Sequence, residues 1–211
     1  TKKRIITGHG IDTNKFKIQN SNFKDYNVIT IFSVGRITLS KGHDLIIKAV
    51  SDLIKSKYNL RLKIIGGVIQ NYHLNYFAGL RKLVDDLKIE NRVKFLGDVV
   101  YKDIIQHFNE AQILINAVPF GGLDKVVLEA MASGVIPLTS NSAFLNVFPS
   151  EISRDLVFKV DDIDDLKNKL KNILDKNFYK NDGLRQELRD IVVRNHNLDS
   201  LISRIVKEIK V

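Results

Sequence analysis

Cysteine and tryptophan are absent from the 211 residues, proline occurs three times, and the single methionine is Met131. Without a thiol the chain has no disulfide framework, thiolate metal centre or cysteine nucleophile, which suits a reducing compartment such as the cytoplasm. No apolar run approaches the roughly 20 residues that a membrane-spanning helix needs, and nothing near the start has the tripartite pattern of a secretory signal. A soluble, cytoplasmic protein is therefore expected. Because the only methionine is internal and the chain opens on Thr1, a fragment is expected, with the missing part upstream. Several motifs are missing as well. There is no G-x-G-x-x-G fingerprint, no Walker loop, no H-x-x-x-H pair, no serine nucleophile elbow and no acidic metal cluster. His9, His43, His73, His107 and His196 are dispersed without ligand spacing, and no metal site is expected.

What is present suits a folded chain with a real core, since 44% of residues are hydrophobic and 27% charged. The formal charge of +9 and pI near 9.6 favour an anionic partner, such as a phosphate-bearing ligand or an acidic membrane surface. The excess is nevertheless spread among aspartates and glutamates. The one dense basic run, Lys2-Lys3-Arg4, is too short for a nucleic-acid arm, so no nucleic-acid partner is expected.

From Asn27 onward, short β-rich runs alternate with longer amphipathic stretches. "VITIFSVG" reads as a buried strand, and "GHDLIIKAVSDLIKSK" places Leu45, Ile46, Ala49, Val50, Leu53 and Ile54 on one helical face. The alternation continues through strand "LRLKIIGG", helix 72–87, strand "VKFLG", helix "YKDIIQHFNEA", strand "ILINAV", helix 123–132 and strand "VIPLTS". A weak last strand, "LVFKV", precedes three helical segments from Asp161. This order predicts an α/β fold with a Rossmann-like, doubly wound parallel sheet. A single domain over residues 1–211 is expected, with the helices of 161–211 packing at its edge. Such sheets bind ligands at the carboxyl ends of their strands, which directs the search to loops 35–42, 66–72, 97–102, 118–123 and 140–143.

In "VGRITLSKGHD", Arg36 and Lys41 flank a turn from strand to helix, where backbone N–H groups and the helix dipole favour an anion. They could clasp a diphosphate or stand as solvated charges on an ordinary loop. In "PFGGLDKVVLEAMASGVIPLTSN", Glu129 sits in a helix of apolar neighbours, and burying an unpaired carboxylate is costly. It either occupies one exposed stripe or pairs with a lysine, or it faces a cleft and accepts hydrogen bonds from ligand hydroxyls. Gly121 and Gly122 would let a ligand approach the backbone, although a plain turn also uses glycine. The aspartates of "VDDIDDL" are best explained as an acidic helix N-terminus.

Together these segments resemble the C-terminal half of the family 4 glycosyltransferases, retaining enzymes of the GT-B fold. In order, "ITGHGIDTNKF" resembles the loop leading into that half, and "FSVGRITLSKGHDLIIKA", with Gly35, its diphosphate loop. "LKIIGG" and "NRVKFLGDV" resemble the next strands, and "GGLDKVVLEAMASGVIPLTSN" the family signature. The resemblance implies a domain that binds a nucleoside diphosphate sugar, UDP- or GDP-linked, without metal or resident cofactor. In it Arg36 and Lys41 would bind the diphosphate and stabilise its departure, and Glu129 would hold the ribose hydroxyls. The backbone of Gly122, Leu123, Asp124 and Lys125 would face sugar and phosphates, and the segment Lys94–Val99, with Phe95 and Gly97, would lie near the base.

One departure stands out. The signature's first glutamate, eight residues before the second, is here Gly121, which leaves Asp124 as the nearest carboxylate for the donor sugar. The acceptor, a glycan or lipid-linked glycan, and any peripheral membrane contact would be met through an N-terminal domain absent from this chain. The 211 residues alone are therefore expected to bind nucleotide but to have little or no transfer activity. Two other functions share the resemblance: a nucleotide-sugar epimerase, and a non-catalytic nucleotide-binding module.

Overall fold

The computed structural model describes residues 8–19, 27–68 and 73–209. The basic run Lys2–Arg4, loop positions 69–72 and the expected first residue of the second helix, Tyr72, lie outside them. Five strands form one sheet: β1 (Ile29–Val34), β2 (Leu60–Ile65), β3 (Val93–Phe95), β4 (Ile113–Asn116) and β5 (Ile136–Thr139). Their spatial order is β3-β2-β1-β4-β5 and every pairing is parallel. Parallel strands covered on both faces read as continuous apolar runs, and β4 and β5 are buried at every residue. The chain moves outward from β1 to β3, then returns across β1 to add β4 and β5. That reversal leaves a crevice at the carboxyl ends of β1 and β4, the place where open α/β sheets bind ligands.

The interstrand helices are α1 (His43–Lys55), α2 (Leu74–Leu87), α3 (Tyr101–Glu110) and α4 (Lys125–Ala132). The apolar stripe predicted for α1 is the buried one, from Leu45 through Leu53. The core runs through the sheet and continues as edge-to-face rings: Phe108 of α3 stands 4.9 Å from Phe32 of β1 and 5.3 Å from Phe16 of the lead-in segment. Four further helices follow the last strand: α5 (Ser153–Leu156), α6 (Ile163–Asp175), α7 (Asp182–Asn195) and α8 (Leu198–Ile209). α6 packs on α1, and α7 on α4.

Two expectations are corrected. The strand expected at Leu156–Val160 is a single bridge between Val157 and Thr139, joined by a hydrogen bond from Phe158 N to Thr139 O of 2.9 Å. Leu156 already ends helix α5, and Asp161 turns the chain with φ 57°, so only one residue is left extended beside β5. The helix expected from Leu123 begins at Lys125, with Asp124 in an extended conformation at its N-cap. The acidic run at 161–165 does start a helix: the Asp162 side chain accepts the N–H of Asp165 at 2.8 Å.

Candidate functional site

The three loops that leave β1, β2 and β3 are stitched to one another beyond the ends of their strands. Gly35 N donates to Ile65 O (2.9 Å), Ile37 N to Gly67 O (2.9 Å) and Gly66 N to Gly97 O (2.8 Å). The fit is close enough that a Cβ on Gly66 would lie 2.0 Å from the carbonyl oxygen of Gly35. No side chain can occupy that place, so "IGG" after β2 is dictated by backbone packing. The parallel ladder is thus prolonged into the loops, which fixes Arg36, Gly67 and Asp98 on neighbouring strand ends.

Against this edge lies a cavity of about 240 Å³ lined by Gly35, Arg36, Asp98, Tyr101 and Glu129, among others. Its apolar walls are Val34, Ile65, Val99 and Ile104. Lys41 belongs to the same corner. Its side-chain methylenes fold back over Gly35, 3.1 Å from where a Cβ would stand there, so its stem lies beside the residue that precedes Arg36.

Arg36 is held from below. His43, the first residue of α1 and fully buried, lies with Nε2 at 3.3 Å from the Arg36 carbonyl. A carbonyl only accepts, so Nε2 carries the proton, and burial pushes the imidazole pKa down, which favours the neutral ring. The sequence shows this histidine only as one of five, because a βα turn gives no sign of where its first helical side chain will point.

Glu129 is on the face of α4 turned to the cavity and is 8% exposed. The Tyr101 hydroxyl donates to its Oε1 at 3.4 Å. Burial lifts the carboxyl pKa to about 7, with Lys125, one helical turn earlier, opposing the rise. Glu129 is therefore neither on an exposed stripe nor neutralised by a contacting lysine. It is a buried carboxyl open to a cavity, with one long hydrogen bond among the described residues.

The signature loop borders the same edge. The side chain of Asn141, itself buried, donates from Nδ2 to Gly122 O (3.0 Å) and accepts the N–H of Ala143 at Oδ1 (3.0 Å). Its own N–H donates to Thr139 Oγ1 (3.2 Å), and Thr139 donates to Asn116 Oδ1 (3.0 Å). This polar chain from the ends of β4 and β5 props the loop before α4. Gly121 has φ 125°, a conformation essentially reserved for glycine. At the N-cap, Asp124 makes no capping bond, and its Oδ2 is buried without a partner among the described residues.

Gly35, Arg36 and Glu129 thus meet at one cavity, with Lys41 at its margin. Gly122, Leu123, Asp124 and Lys125 form the approach to α4 and are not among the residues that line the cavity. Phe95 and Gly97 do not line it either. The Phe95 ring stands edge-on to Phe77 of α2 at 5.3 Å, and Gly97 contributes its carbonyl to the loop stitching. Asp98 and Tyr101 do line it; both fall in the searched loop 97–102, and Asp98 in the segment 94–99 expected near the base, although neither is named individually from the sequence.

A reversed, all-parallel sheet with glycine-rich loops, a cationic turn and a buried carboxyl at its carboxyl edge defines the class as a doubly wound, ligand-binding α/β unit. The family described as "Glycosyl transferases group 1" matches residues 14–192, and the chain belongs to it. A GDP-mannose-dependent monoacylated α-(1-6)-phosphatidylinositol monomannoside mannosyltransferase of Corynebacterium glutamicum is 35% identical over 151 residues, 66% of this chain and 36% of that protein. Among solved structures, a glycosyltransferase from Rickettsia africae superposes with a TM-score of 0.81 at 18% identity, covering 98% of this chain and 56% of the other. Anabaena HepE, in complex with UDP and glucose, gives 0.80 at 16%, covering 95% and 55%. The fold is that of these GT-B glycosyltransferase structures. The chain spans about a third of the length of that curated relative and little more than half of the two solved chains.

Proposed function

We propose that this chain is the donor-binding half of a retaining glycosyltransferase of family 4, which moves a sugar from a UDP- or GDP-linked donor to an acceptor hydroxyl. The observation that carries it is the meeting of Arg36, with Lys41 beside it, and the buried Glu129 at one cavity on the carboxyl edge of the sheet. Cations are suited to a diphosphate, and a buried carboxyl with spare acceptor capacity is suited to a vicinal diol. Arg36 and Lys41 would hold the diphosphate and stabilise the charge that grows on it as the glycosidic bond breaks, assisted by N–H groups at the start of α4. Glu129 would accept from the ribose hydroxyls, and Gly122 to Lys125 would face sugar and phosphate.

Two fixed cations supply the charge that a divalent ion would otherwise provide, which supports metal-independent chemistry. The acceptor, a glycan or lipid-linked glycan, would be met by a part of the whole protein outside this chain, so the chain alone would bind donor and transfer little. No helix among the described residues is long and apolar enough to cross a membrane. The location proposed for the whole enzyme is the cytoplasm, with peripheral membrane contact where the acceptor is lipid-linked.

Calorimetric titration of the chain with UDP and GDP in EDTA, beside an Arg36→Ala/Lys41→Ala variant, tests the assignment. Binding without metal that the double variant loses is expected. Unchanged affinity in that variant would remove Arg36 and Lys41 from the site.

A further inference from the structure

A second cavity, of about 460 Å³, opens beside β5, the edge strand of the sheet, and none of the residues proposed for the donor lines it. It is larger than the cavity of about 240 Å³ that holds Arg36 and Glu129, and it falls within the size range of small-molecule sites. Three segments build it. The loop after β4 brings Pro119 and Phe120, the end of β5 brings Ser140, and the chain from α5 into α6 brings Arg154, Lys159 and Lys169.

The lining carries an excess of positive charge. The Lys169 ammonium donates to the Arg154 carbonyl, which ties α6 to α5 and holds the ammonium at the cavity. Asp165 is the one carboxylate on the lining, and its Oδ2 already accepts the N–H of Lys159 at 2.7 Å. Arg154 and Lys159 are exposed, and their side chains form no ion pair among the described residues. Three cations beside one engaged carboxylate suit a phosphate. Ser140 adds a donor: it is 4% exposed, and its Oγ is buried without a partner among the described residues. Buried hydroxyls normally find a partner, and a phosphate oxygen in the cavity would supply one.

The rim is more apolar than a soluble phosphate needs. Phe120 is 80% exposed, and Leu145 and Val160 are exposed on the same lining. Large apolar side chains gathered at one exposed place mark an interaction site. Beside cations they match an anionic lipid surface, where apolar groups enter the acyl boundary and cations meet the phosphates. The net charge of +9 favours the same partner. We propose that this cavity binds the phosphate head group of an anionic lipid, with Phe120, Leu145 and Val160 inserted around it. The chain then carries a membrane contact of its own, apart from the donor cavity. It abuts the signature loop, because Phe120 precedes Gly121 and Ser140 precedes Asn141, whose side chain props Gly122.

The test is co-sedimentation of the chain, without nucleotide, with vesicles of phosphatidylcholine alone and of equal parts phosphatidylcholine and phosphatidylglycerol. Binding to the anionic vesicles alone is expected. Arg154→Gln/Lys159→Gln should weaken it roughly thirtyfold, the scale of two cations lost at an anionic surface. Phe120→Ser should weaken it about tenfold by removing the inserted ring. Arg81→Gln/Lys88→Gln removes the same charge from α2 and its C-cap, toward the far edge of the sheet, and should change binding by less than about threefold, since screening confines the attraction to nearby charges. All five replaced side chains are exposed, so each variant should melt as the parent does. No preference for anionic vesicles overturns the proposal, and so does an equal loss in the Arg81/Lys88 variant, which would assign binding to diffuse charge. Unchanged binding in Phe120→Ser also overturns it, and displacement of the chain by glycerol phosphate would then make the cavity a site for a soluble phosphate. With no nucleotide present, these outcomes are independent of the donor-site assignment.

Discussion

Glu129 poses a problem of charge at the level of one side chain. Its carboxyl is buried, its pKa is lifted to about 7 by burial, and its one hydrogen bond among the described residues is the long one from Tyr101. Since the folded pKa lies above the ordinary carboxyl value, the folded state binds the extra proton between roughly pH 4.5 and 7. Glu129 therefore lends stability that is complete below the lower value and lost as pH rises through the upper, by at most about 3 kcal/mol. Glu129→Gln removes that dependence. Its unfolding free energy should fall less than the parent's between pH 5 and 8, a difference readable from urea titrations at each pH. Ligand binding should run in the opposite sense, because ribose hydroxyls donate to the ionised form. The ratio of parent to Glu129→Gln affinity for a nucleoside diphosphate should rise as pH increases from 6 to 8, with phosphate titration cancelling in the ratio. A flat ratio would mean that the hydroxyls do not meet this carboxyl.

Gly121 is the other informative residue. The family 4 signature that this stretch resembles has glutamate there, and space does not forbid it, since nothing lies within 4 Å of where a Cβ would stand. The backbone does, because φ is 125°. Gly121→Glu should therefore cost about 1 to 3 kcal/mol of stability, as a side chain held in a glycine-only conformation does, instead of restoring a lost contact. A drop in Tm with no gain in donor affinity is expected. A stable, tighter-binding variant would show that the loop relaxes readily into another conformation.

Among the elements, α7 does more than cover the sheet. Arg189 donates from Nη1 to Phe16 O (2.6 Å) and also to Ala132 O, and from Nη2 to Thr13 O (2.9 Å). Arg185 donates from Nε to Gly134 O (2.9 Å). The two arginines thus cap the C-terminal end of α4, the helix that carries Glu129, and tie the lead-in segment to it. Arg189→Ala should cost about 2 kcal/mol, since it strands backbone carbonyls near the interior, and Arg189→Lys should recover only part of that because an ammonium cannot reproduce the fork. Chemical denaturation of the two variants is the measurement.

The same elements show what the sequence makes legible. Short apolar β-rich runs and the period of 3.6 locate the five strands and the helices α1 to α4, because buried parallel strands and half-buried helices impose strong local patterns. Arg36 and Lys41 stand out as charges in a glycine-flanked loop at a strand end, and Glu129 as a carboxylate among apolar helical neighbours. What is not legible depends on contacts far apart in sequence. The seating of Asp98 on Gly67, the bond from His43 to the Arg36 carbonyl and the arginine caps from α7 join segments whose local composition is unremarked. The strand expected at Leu156–Val160 fails for a related reason: Leu156 and Phe158 are buried by packing beside β5, not by joining the ladder beyond one bridge.

At the scale of the whole molecule, the last helices are bound into the same structure as the sheet. α6 lies on α1, α7 on α4, and the lead-in segment pairs with the turn before α8, with Ile11 N donating to His196 O (2.7 Å) and Leu198 N to Ile11 O (3.0 Å). Helices 161–209 therefore have no core apart from the sheet's, and the chain should unfold in one cooperative transition. A ligand that binds only the folded state at a hundred times its Kd adds about 2.7 kcal/mol, which for a chain of this size is roughly 5 to 10 °C in Tm. The nucleotide that the site prefers should raise the single transition by that amount in EDTA as in magnesium, and the Arg36→Ala/Lys41→Ala variant should lose the shift. Scanning calorimetry distinguishes the outcomes. Two separate transitions, of which the nucleotide moves only one, would make the final helices an independent unit, whereas a shift that needs magnesium would place a metal ion where the two cations are proposed to suffice.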